Sequence, residues 1–393
     1  MSPSTPPGAP DPEEPTRATA AEPLTLGDVH DAAQRIADNV GRVLVGKPEA
    51  VRTALITLLA EGHLLVEDVP GVGKTLLAKA LARSIDCTVS RIQFTPDLLP
   101  SDITGVSIYN RGSGDFEFRP GPVFANVVVG DEINRASPKT QSALLECMEE
   151  RQVTVDGQSY PLTGPFMVIA TQNPVEMEGT YVLPEAQRDR FTTRISLGYP
   201  EPDDELAMVD EHAGADPLTT LTPVSTAAEI RALVQAVRHI HVSTELRRYV
   251  VEVVGATRRL PELRLGASPR ATLQLIRASR AYAALDGRGF VVPDDVHAVA
   301  QPVLSHRLVL TAEANAARRS AADLVRIVLQ RIPVPQAPTG PDARLVAPAP
   351  RNSATHNGAV APHRSAPQPA TQEAAAPQQS TRRASAWHSS RVH

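Results

Sequence analysis

The fold of this chain is decided by residues 66–75, which read Val66-Glu67-Asp68-Val69-Pro70-Gly71-Val72-Gly73-Lys74-Thr75. An apolar stretch, His63 to Val66, precedes this run, and an amphipathic stretch, Leu76 to Ile85, follows it. A strand, a glycine-rich turn and a helix in this order cradle phosphate, because backbone N–H groups of the turn and the positive end of the helix point at the anion. The sequence therefore predicts a polyphosphate site.

Two side chains at the end of this run add chemistry to the predicted site. Lys74 can reach the terminal phosphates, and the hydroxyl of Thr75 can hold Mg²⁺. We expect the nucleotide to contact the loop and the first residue after it, namely Pro70, Gly71, Val72, Gly73, Lys74, Thr75 and Leu76.

One position of the loop departs from the usual phosphate-binding pattern. In GxxxxGK[ST] the first glycine would stand at position 68, where this chain has Asp68. Gly71 and Gly73 remain at the positions where the backbone comes closest to phosphate. Whether the loop binds phosphate then depends on the other parts of the site.

Composition limits the classes of protein that this chain can be. It has 393 residues, 42% of them hydrophobic and 21% charged, with a formal net charge of −5. The acidic balance argues against a nucleic-acid-binding protein. Cys87 and Cys147 each lie in an apolar segment, so we expect free buried thiols. No apolar run approaches a membrane span and the N-terminus lacks a signal-peptide pattern, so we expect a cytoplasmic protein without membrane insertion.

The pattern of elements divides the chain into four parts. Residues 1–23 and 333–393 are rich in proline and small or polar residues, and we expect both to be disordered. Residues 24–200 alternate strands with helices, which indicates an α/β fold with a parallel five-stranded sheet. Residues 201–332 show helical patterns without convincing strands, which indicates a smaller all-α domain.

Within the α/β part, several elements can be placed from the sequence. Two helices are expected in residues 25–60, separated at Gly46 and Pro48. Alternating segments predict two hairpins, one around Arg111 to Gly114 and one around Asp156-Gly157. The sheet strands are expected at about residues 63–67, 88–94, 126–129, 166–170 and 192–197.

Acidic residues follow the apolar run at 126–129. A side chain at the carboxyl end of a buried parallel strand faces the nucleotide crevice. Asp131 can then hold the Mg²⁺ shell, and Glu132 can polarise the attacking water. An ordinary strand end with an acidic turn is the alternative, but the phosphate loop upstream argues against it.

A polar amide, Asn173, closes the following predicted strand. Its side chain could orient water against the terminal phosphate. Because Asn-Pro favours turns, Asn173 could instead be a cap or turn residue. The residue type alone leaves both interpretations open.

Three longer blocks resemble the MoxR-type AAA+ ATPases. Residues 131–141 read DEINRASPKTQ and, with ALLECMEE at 143–150, resemble the family's Walker B signature. The other two blocks are RIQFTPDLLPSDITG at 91–105 and LPEAQRDRF at 183–191. The resemblance covers about residues 25–332. Relatives of this type often carry the same EDVPGVGKT, so we expect the loop to function with Asp68.

The resemblance implies an AAA+ core, a helical lid and a homo-oligomeric ring, commonly a hexamer, with ATP bound between subunits. The segment 43–46, with Val45 and Gly46, resembles the part that packs against adenine. Asn173 corresponds to the sensor 1 position. Residues 105–119 match the family's insertion in the second helix of the core, and the hairpin around Asp156 matches the presensor hairpin.

The resemblance also assigns two arginines to the site. Arg190 resembles the arginine finger that a subunit delivers to its neighbour's nucleotide, a role that suits a permanently charged fork. A local ion pair with Asp189 is the alternative, and Arg188 is a rival finger. Arg270 resembles sensor 2, and Pro269 would place it near a helix N-terminus facing the phosphates. A solvated arginine is the alternative there.

The family resemblance implies an Mg²⁺-dependent ATPase with a chaperone-like role in the maturation, cofactor insertion or assembly of partner proteins. Such partners often carry a von Willebrand factor A domain. A magnesium-chelatase or gas-vesicle ATPase subunit is the main alternative, since it shares the hydrolysis but differs in client. A nucleic-acid motor and a slow nucleotide-gated assembly switch are further alternatives.

Overall fold

The computed structural model describes residues 25–69, 71–173, 181, 183–206 and 217–335. The predicted loop residue Pro70, the predicted disordered segment 1–23 and the tail from residue 336 onward lie outside the described residues. Within them, no helix is both long enough and apolar enough to cross a membrane.

A five-stranded parallel sheet forms the centre of the α/β part. Its order is β10-β1-β9-β6-β3, with all neighbouring strands parallel. This confirms the predicted sheet. The strands are β1 (Leu64–Glu67), β3 (Val89–Gln93), β6 (Val127–Asp131), β9 (Met167–Gln172) and β10 (Thr193–Ile195).

Helices on both faces cover this sheet, so its central strands are buried on each side. β6 and β9 are buried along their whole length, which explains their continuous apolar sequence. The helices of this part are α1 (Leu26–Gly41), α2 (Pro48–Leu59), α3 (Lys74–Ser84), α4 (Pro100–Thr104), α5 (Pro138–Glu150) and α6 (Glu185–Arg188).

Local sequence explains where these helices begin. The Thr25 side chain caps α1 and forms a capping box with Asp28. The Ser137 hydroxyl caps α5, and Pro138 occupies its first turn, where the missing N–H costs nothing. α3 instead begins after the left-handed Gly73 without a side-chain cap, which leaves its first N–H groups available to an anion.

Both predicted hairpins are present. The first pairs β4 (Gly105–Asn110) with β5 (Asp115–Pro120), and the second pairs β7 (Gln152–Val155) with β8 (Gln158–Pro161). They touch through the rings of Phe118 and Tyr160, which stack with centroids 4.1 Å apart. The two elements that resemble the family's helix-2 insertion and presensor hairpin are therefore in contact.

The second part of the chain is mainly helical, as predicted, but it also contains a short antiparallel ribbon of β12 (Leu263–Leu265) and β13 (Val309–Leu310). Another short strand, β11 (Ser225–Thr226), pairs with β2 (Ile85–Asp86) of the α/β part. The helices are α7 (Pro217–Thr220), α8 (Ala227–Arg238), α9 (Thr244–Thr257), α10 (Pro269–Leu285), α11 (Pro293–Leu304), α12 (Ala312–Ala316) and α13 (Ala321–Arg331).

The two cysteines are free thiols, as the sequence predicts. Cys147 is buried and Cys87 is half-buried. Burial raises the pKa of the Cys147 thiol to about 12 and that of Cys87 to about 11. Neither thiol is therefore a nucleophile at neutral pH.

Candidate functional site

The phosphate loop follows the carboxyl end of β1, and its glycines have the conformation that the sequence requires. Gly71 and Gly73 have φ of 88° and 91°, a left-handed region that favours glycine. A Cβ on Gly73 would also lie 3.3 Å from Cδ1 of Leu44. Gly73 is thus fixed both by backbone conformation and by the neighbouring segment.

The Lys74 side chain connects the start of the phosphate loop with the end of β9. Its Nζ donates to the carbonyl oxygen of Asp68 at 2.5 Å and to that of Gln172 at 3.2 Å. Burial lowers the pKa of Lys74, although the carboxylates of Asp68 and Glu132 oppose this shift. These carbonyls close β1 and β9, so the Lys74 ammonium lies at the carboxyl edge of the sheet.

Thr75 and Asp131 come together, as the metal prediction requires. The Thr75 hydroxyl lies 3.0 Å from Oδ1 of Asp131. Nε of Arg91 donates to Oδ2 of Asp131 at 2.7 Å, and the Thr171 hydroxyl lies 3.3 Å from Oδ1. A hydroxyl and a carboxylate side by side offer the oxygen ligands that Mg²⁺ prefers. The oxygen donors of Thr75 and Asp131 therefore fit a magnesium ion.

Glu132 occupies an unusual backbone conformation directly after β6. Its φ is 57°, in the left-handed region that residues with a side chain seldom adopt. Its N–H donates to the Thr171 hydroxyl at 3.0 Å. Its carboxylate lies 3.2 Å from Nε2 of Gln93 and 3.0 Å from Nε of Arg135. A strained residue held by its neighbours is a common feature of active sites.

Asn173 follows β9 at the same edge of the sheet. Its carbonyl oxygen accepts a hydrogen bond of 3.3 Å from Nδ2 of Asn134, a residue of the 3₁₀ turn after Glu132. β9 lies between β1 and β6. The sheet therefore places Asn173 between the phosphate loop and the acidic pair.

Asp68 has a structural role that the sequence did not reveal. Its Oδ2 accepts from the Gly198 N–H at 2.6 Å and from the Ser196 hydroxyl at 2.8 Å, and its Oδ1 accepts from the Val69 N–H at 2.8 Å. Burial alone would raise the pKa of Asp68, but these hydrogen bonds outweigh it and lower the pKa. Asp68 thus ties the start of the phosphate loop to the chain after β10.

The predicted adenine segment lies beside the loop. Leu44 reaches Gly73, as described above, and Val45 is half-buried. Gly46 has φ of 73°, and a Cβ there would lie 1.9 Å from the carboxylate of Asp204. The positive φ favours glycine at this position, and a Cβ would have to displace the Asp204 carboxylate. The segment therefore lines the same region as the phosphate loop and meets the chain that leads into the lid.

Arg190 and Arg270 lie together, but not at the phosphate loop of their own chain. Arg190 Nε lies 3.2 Å from Oε2 of Glu149, and Arg270 forms an ion pair with the other oxygen of Glu149. They line a cavity with Gly62 and His63, which precede β1. This is the amino edge of the sheet. Arg270 therefore does not lie at the phosphate loop of its own chain.

The separation follows from strand geometry. The phosphate loop leaves β1 after Glu67, whereas the arginine pair lies beside the residues before Leu64. Four strand residues span about 13 Å. The sheet therefore has the phosphate loop at its carboxyl edge, which we call the phosphate edge. Arg190 and Arg270 lie at its amino edge, which we call the arginine edge. The alternative interpretation of Arg190 was an ion pair with a local acid. Such a pair is present, but the acid is Glu149 rather than Asp189.

The sequence did not predict the residues that contact and position Arg270, namely Asp189 and its partners Arg307 and Ser268. Asp189 accepts from Nε of Arg307 at 2.9 Å and from the Ser268 hydroxyl at 2.9 Å, and it lies 3.9 Å from Arg270. Arg307 is buried, and burial lowers its pKa to about 10, which the Asp189 charge opposes. The block around Asp189 was visible in the sequence, but its contacts join positions more than 75 residues apart.

Both parts of the chain match models of known protein families. The family model "ATPase family associated with various cellular activities (AAA)" matches residues 63–193, and "AAA lid domain" matches residues 255–328. YeaC of Bacillus subtilis is 48% identical over 308 residues, which cover 78% of this chain and 96% of that protein. Chaperone MoxR1 of Mycobacterium tuberculosis is 45% identical over 79% of this chain and 84% of its own length.

A more distant relative and a solved structure extend the match. Protein MoxR of Methylorubrum extorquens is 33% identical over 79% of this chain and 97% of its own length. A crystal structure from Cytophaga hutchinsonii has 39% sequence identity and a TM-score of 0.74, and covers 79% of this chain and 97% of that one.

Proposed function

Because the chain belongs to the MoxR family of AAA+ ATPases, we propose that it hydrolyses ATP with Mg²⁺ as a ring and uses the energy to remodel partner proteins. The observation that carries the proposal is the assembly of Lys74, Thr75, Asp131 and Glu132 at one edge of the sheet. The division into a core of residues 24–200 and a lid of residues 201–332 is part of the proposal.

The proposed chemistry is transfer of the terminal phosphoryl group of ATP to water. The loop N–H groups around Gly71 to Gly73 and the Lys74 ammonium hold the phosphates, while residues 43–46 hold adenine. The Thr75 hydroxyl and the Asp131 carboxylate would hold Mg²⁺, which would supply positive charge to offset the negative charge of the phosphates. Glu132 takes the proton from the attacking water, and Asn173 orients that water.

Completion of the site by a neighbouring subunit is the second element of the proposal. Arg190 and Arg270 lie across the sheet from the phosphate loop, so neither completes the site of its own chain in this arrangement. In a ring, the arginine edge of one subunit can meet the phosphate edge of the next. Both arginines then stabilise negative charge on the neighbour's triphosphate during transfer.

The biological role is proposed from relatives. One of them bears the name Chaperone MoxR1. By extension, we propose a chaperone-like role for this chain in the maturation, cofactor insertion or assembly of other proteins in the cytoplasm. A hexameric ring and a partner with a von Willebrand factor A domain are proposed from the family resemblance.

The function is tested by ATP hydrolysis with purified full-length protein and the Lys74→Ala and Glu132→Gln variants. We expect Mg²⁺-dependent hydrolysis that rises with protein concentration, loss of ATP binding in Lys74→Ala, and ATP binding without appreciable turnover in Glu132→Gln. Normal hydrolysis by Glu132→Gln would refute the mechanism. The Glu132→Gln variant, which holds ATP, also serves as bait for client proteins.

A further inference from the structure

A second cavity, of about 490 Å³, lies at the amino edge of the sheet between the core and the lid. The end of α2 forms one wall with Leu59 and Ala60, and α10 of the lid forms the opposite wall. No residue of the phosphate loop lines it. Its charged lining residues are Glu61, Glu149, Arg151, Arg238, Arg277 and Arg280.

Both carboxylates of the cavity are already engaged. Glu61 lies 2.8 Å from Nη1 of Arg151 and also forms an ion pair with Arg238. Glu149 holds Arg190 and Arg270, as described above. Each carboxylate therefore already balances two guanidinium groups, and the cavity has no spare negative charge among its described lining residues.

Arg277 and Arg280 are the cations of the cavity lining that neither of these carboxylates engages. Neither guanidinium group has a hydrogen bond or an ion pair with a residue in the described ranges; Arg277 is exposed and Arg280 is half-buried. Nε of Arg280 is buried without an acceptor. Burial lowers the pKa of Arg280, and the positive charges of Arg247 and Arg277 lower it further.

An anion would complement this arrangement. It would give the buried Nε of Arg280 an acceptor and would offset the repulsion between the neighbouring guanidinium groups. A phosphate group carries several acceptor oxygens and matches the planar guanidinium fork. The cavity volume lies in the range of small-molecule sites.

We propose that this cavity binds a phosphate-class anion, held by Arg277 and Arg280 of the lid together with Arg151 of the core. The site is separate from the ATP loop, which lies at the other edge of the sheet. Since its ligands come from both the core and the lid, occupancy would stabilise their present contact. The cavity adjoins the arginine edge and shares Arg151 and Arg277 with it, so binding here has to be distinguished from binding at Arg190 and Arg270.

The test is calorimetric titration of inorganic tripolyphosphate into full-length Lys74→Ala protein at low salt. This background removes the ammonium of the ATP loop and leaves the cavity intact. Arg190→Ala with Arg270→Ala in the same background should leave binding largely unchanged, and loss of binding there would overturn the proposal. We expect binding in Lys74→Ala, and about tenfold or greater weakening when Arg277→Gln and Arg280→Gln are added. Arg277→Lys with Arg280→Lys keeps the charge but loses the fork, and we expect an intermediate affinity.

A matched control removes two charges elsewhere. Arg35→Gln with Arg326→Gln affects two exposed surface ion pairs outside the cavity, and we expect unchanged affinity. Equal weakening in this control, unchanged binding in the Arg277/Arg280 variant, or no binding by Lys74→Ala would each overturn the proposal. Thermal unfolding of each variant confirms folding, and the lysine pair provides the comparison if the glutamine pair unfolds.

Two sources of the anion can be separated with further titrations. Orthophosphate that competes at the same arginines points to the product of hydrolysis as the occupant. Binding of tripolyphosphate alone points to a longer phosphate chain. ATPase activity of protein with intact Lys74 is measured separately, so failure of the proposed function and failure of this site are distinguishable.

Discussion

The backbone N–H of Glu132 donates a 3.0 Å hydrogen bond to the hydroxyl of Thr171, which itself lies 3.3 Å from Oδ1 of Asp131. One hydroxyl therefore connects the proposed base with the proposed metal ligand. It also helps to hold Glu132 at a φ of 57°, where its carboxylate leaves the strand towards Gln93 and Arg135.

We expect Thr171→Val to reduce turnover while largely keeping ATP affinity. Valine has nearly the same shape but leaves the Glu132 N–H without an acceptor, at a cost of about 1–3 kcal/mol. If that cost falls on the active conformation of Glu132, kcat falls about tenfold or more. Steady-state phosphate release and equilibrium ATP binding measure the two effects. Thr171→Ser is the control, and equal loss in both variants would contradict the role of the hydroxyl.

Asp68 is expected to stabilise the fold although it stands where phosphate loops usually have glycine. Asp68→Gly restores the common pattern but removes the acceptor of the Ser196 hydroxyl and the Gly198 N–H. We expect a loss of about 1–3 kcal/mol in the free energy of unfolding. Chemical denaturation measures this loss. Asp31→Gly, at an exposed position of α1, reports the loss of stability caused by introducing glycine alone. If Asp68→Gly lowers the free energy of unfolding by no more than this control, the hydrogen bonds of Asp68 to Ser196 and Gly198 do not stabilise the fold.

The in-trans role of Arg190 is testable by mixing subunits. Arg190→Ala protein should bind ATP but hydrolyse it poorly. Lys74→Ala protein should fail to bind ATP while still carrying Arg190. Mixing the two should restore part of the activity, because some Lys74 sites then meet an intact Arg190. The same mixture with Arg188→Ala in place of Arg190→Ala decides between the two candidate fingers, and no recovery in either mixture would speak against a shared site.

Glu149 is expected to restrain the arginine edge of an isolated subunit. It binds both Arg190 and Arg270, which must leave it to reach a neighbour's phosphates. Partly exposed ion pairs contribute up to about 1 kcal/mol. We expect Glu149→Gln to reach half-maximal ATPase activity at a protein concentration about two- to fivefold lower. Glu146→Gln, at an exposed site on the same helix, is the control. A higher required concentration would show that Glu149 organises the pair instead.

Stability is expected to fall with pH because of His63. Its Nδ1 accepts from the Val168 N–H at 3.0 Å and its Nε2 lies 3.1 Å from the Met148 carbonyl oxygen, so the neutral ring with a proton on Nε2 fits this site. Burial lowers the pKa of His63 to about 4. The unfolded chain takes up this proton near pH 6.5 and the folded chain only near pH 4, so stability is lost as pH falls between these values.

The size of this loss follows from the pKa difference. The difference between a pKa of 6.5 in the unfolded chain and about 4 in the folded chain corresponds to a loss of about 3 kcal/mol in the free energy of unfolding. Chemical denaturation from pH 7.5 to 4 measures it. His63→Gln should be less stable at pH 7 but should lose less stability on acidification. An unchanged pH slope in that variant would show that other groups cause the decline.

Local sequence determined much of this protein. Strand alternation and the residues 66–75 predicted the parallel sheet and the phosphate loop, because glycine conformation and buried-strand composition are local properties. Asp131, Glu132 and Asn173 were also found from the sequence, since residues after parallel strands must meet at one edge of a sheet. The helical pattern of residues 201–332 predicted the second domain, and the family resemblance identified it as a lid and added the two arginines.

Tertiary structure alone decided where the arginines lie and what Asp68 does. Arg270 meets Glu149 across 121 positions of sequence, and Asp68 meets Gly198 across 130. No local pattern encodes such pairs, because they depend on how the lid and the sheet pack. The sequence thus predicted which residues meet at the phosphate edge, whereas packing placed the arginine edge on the opposite side of the sheet.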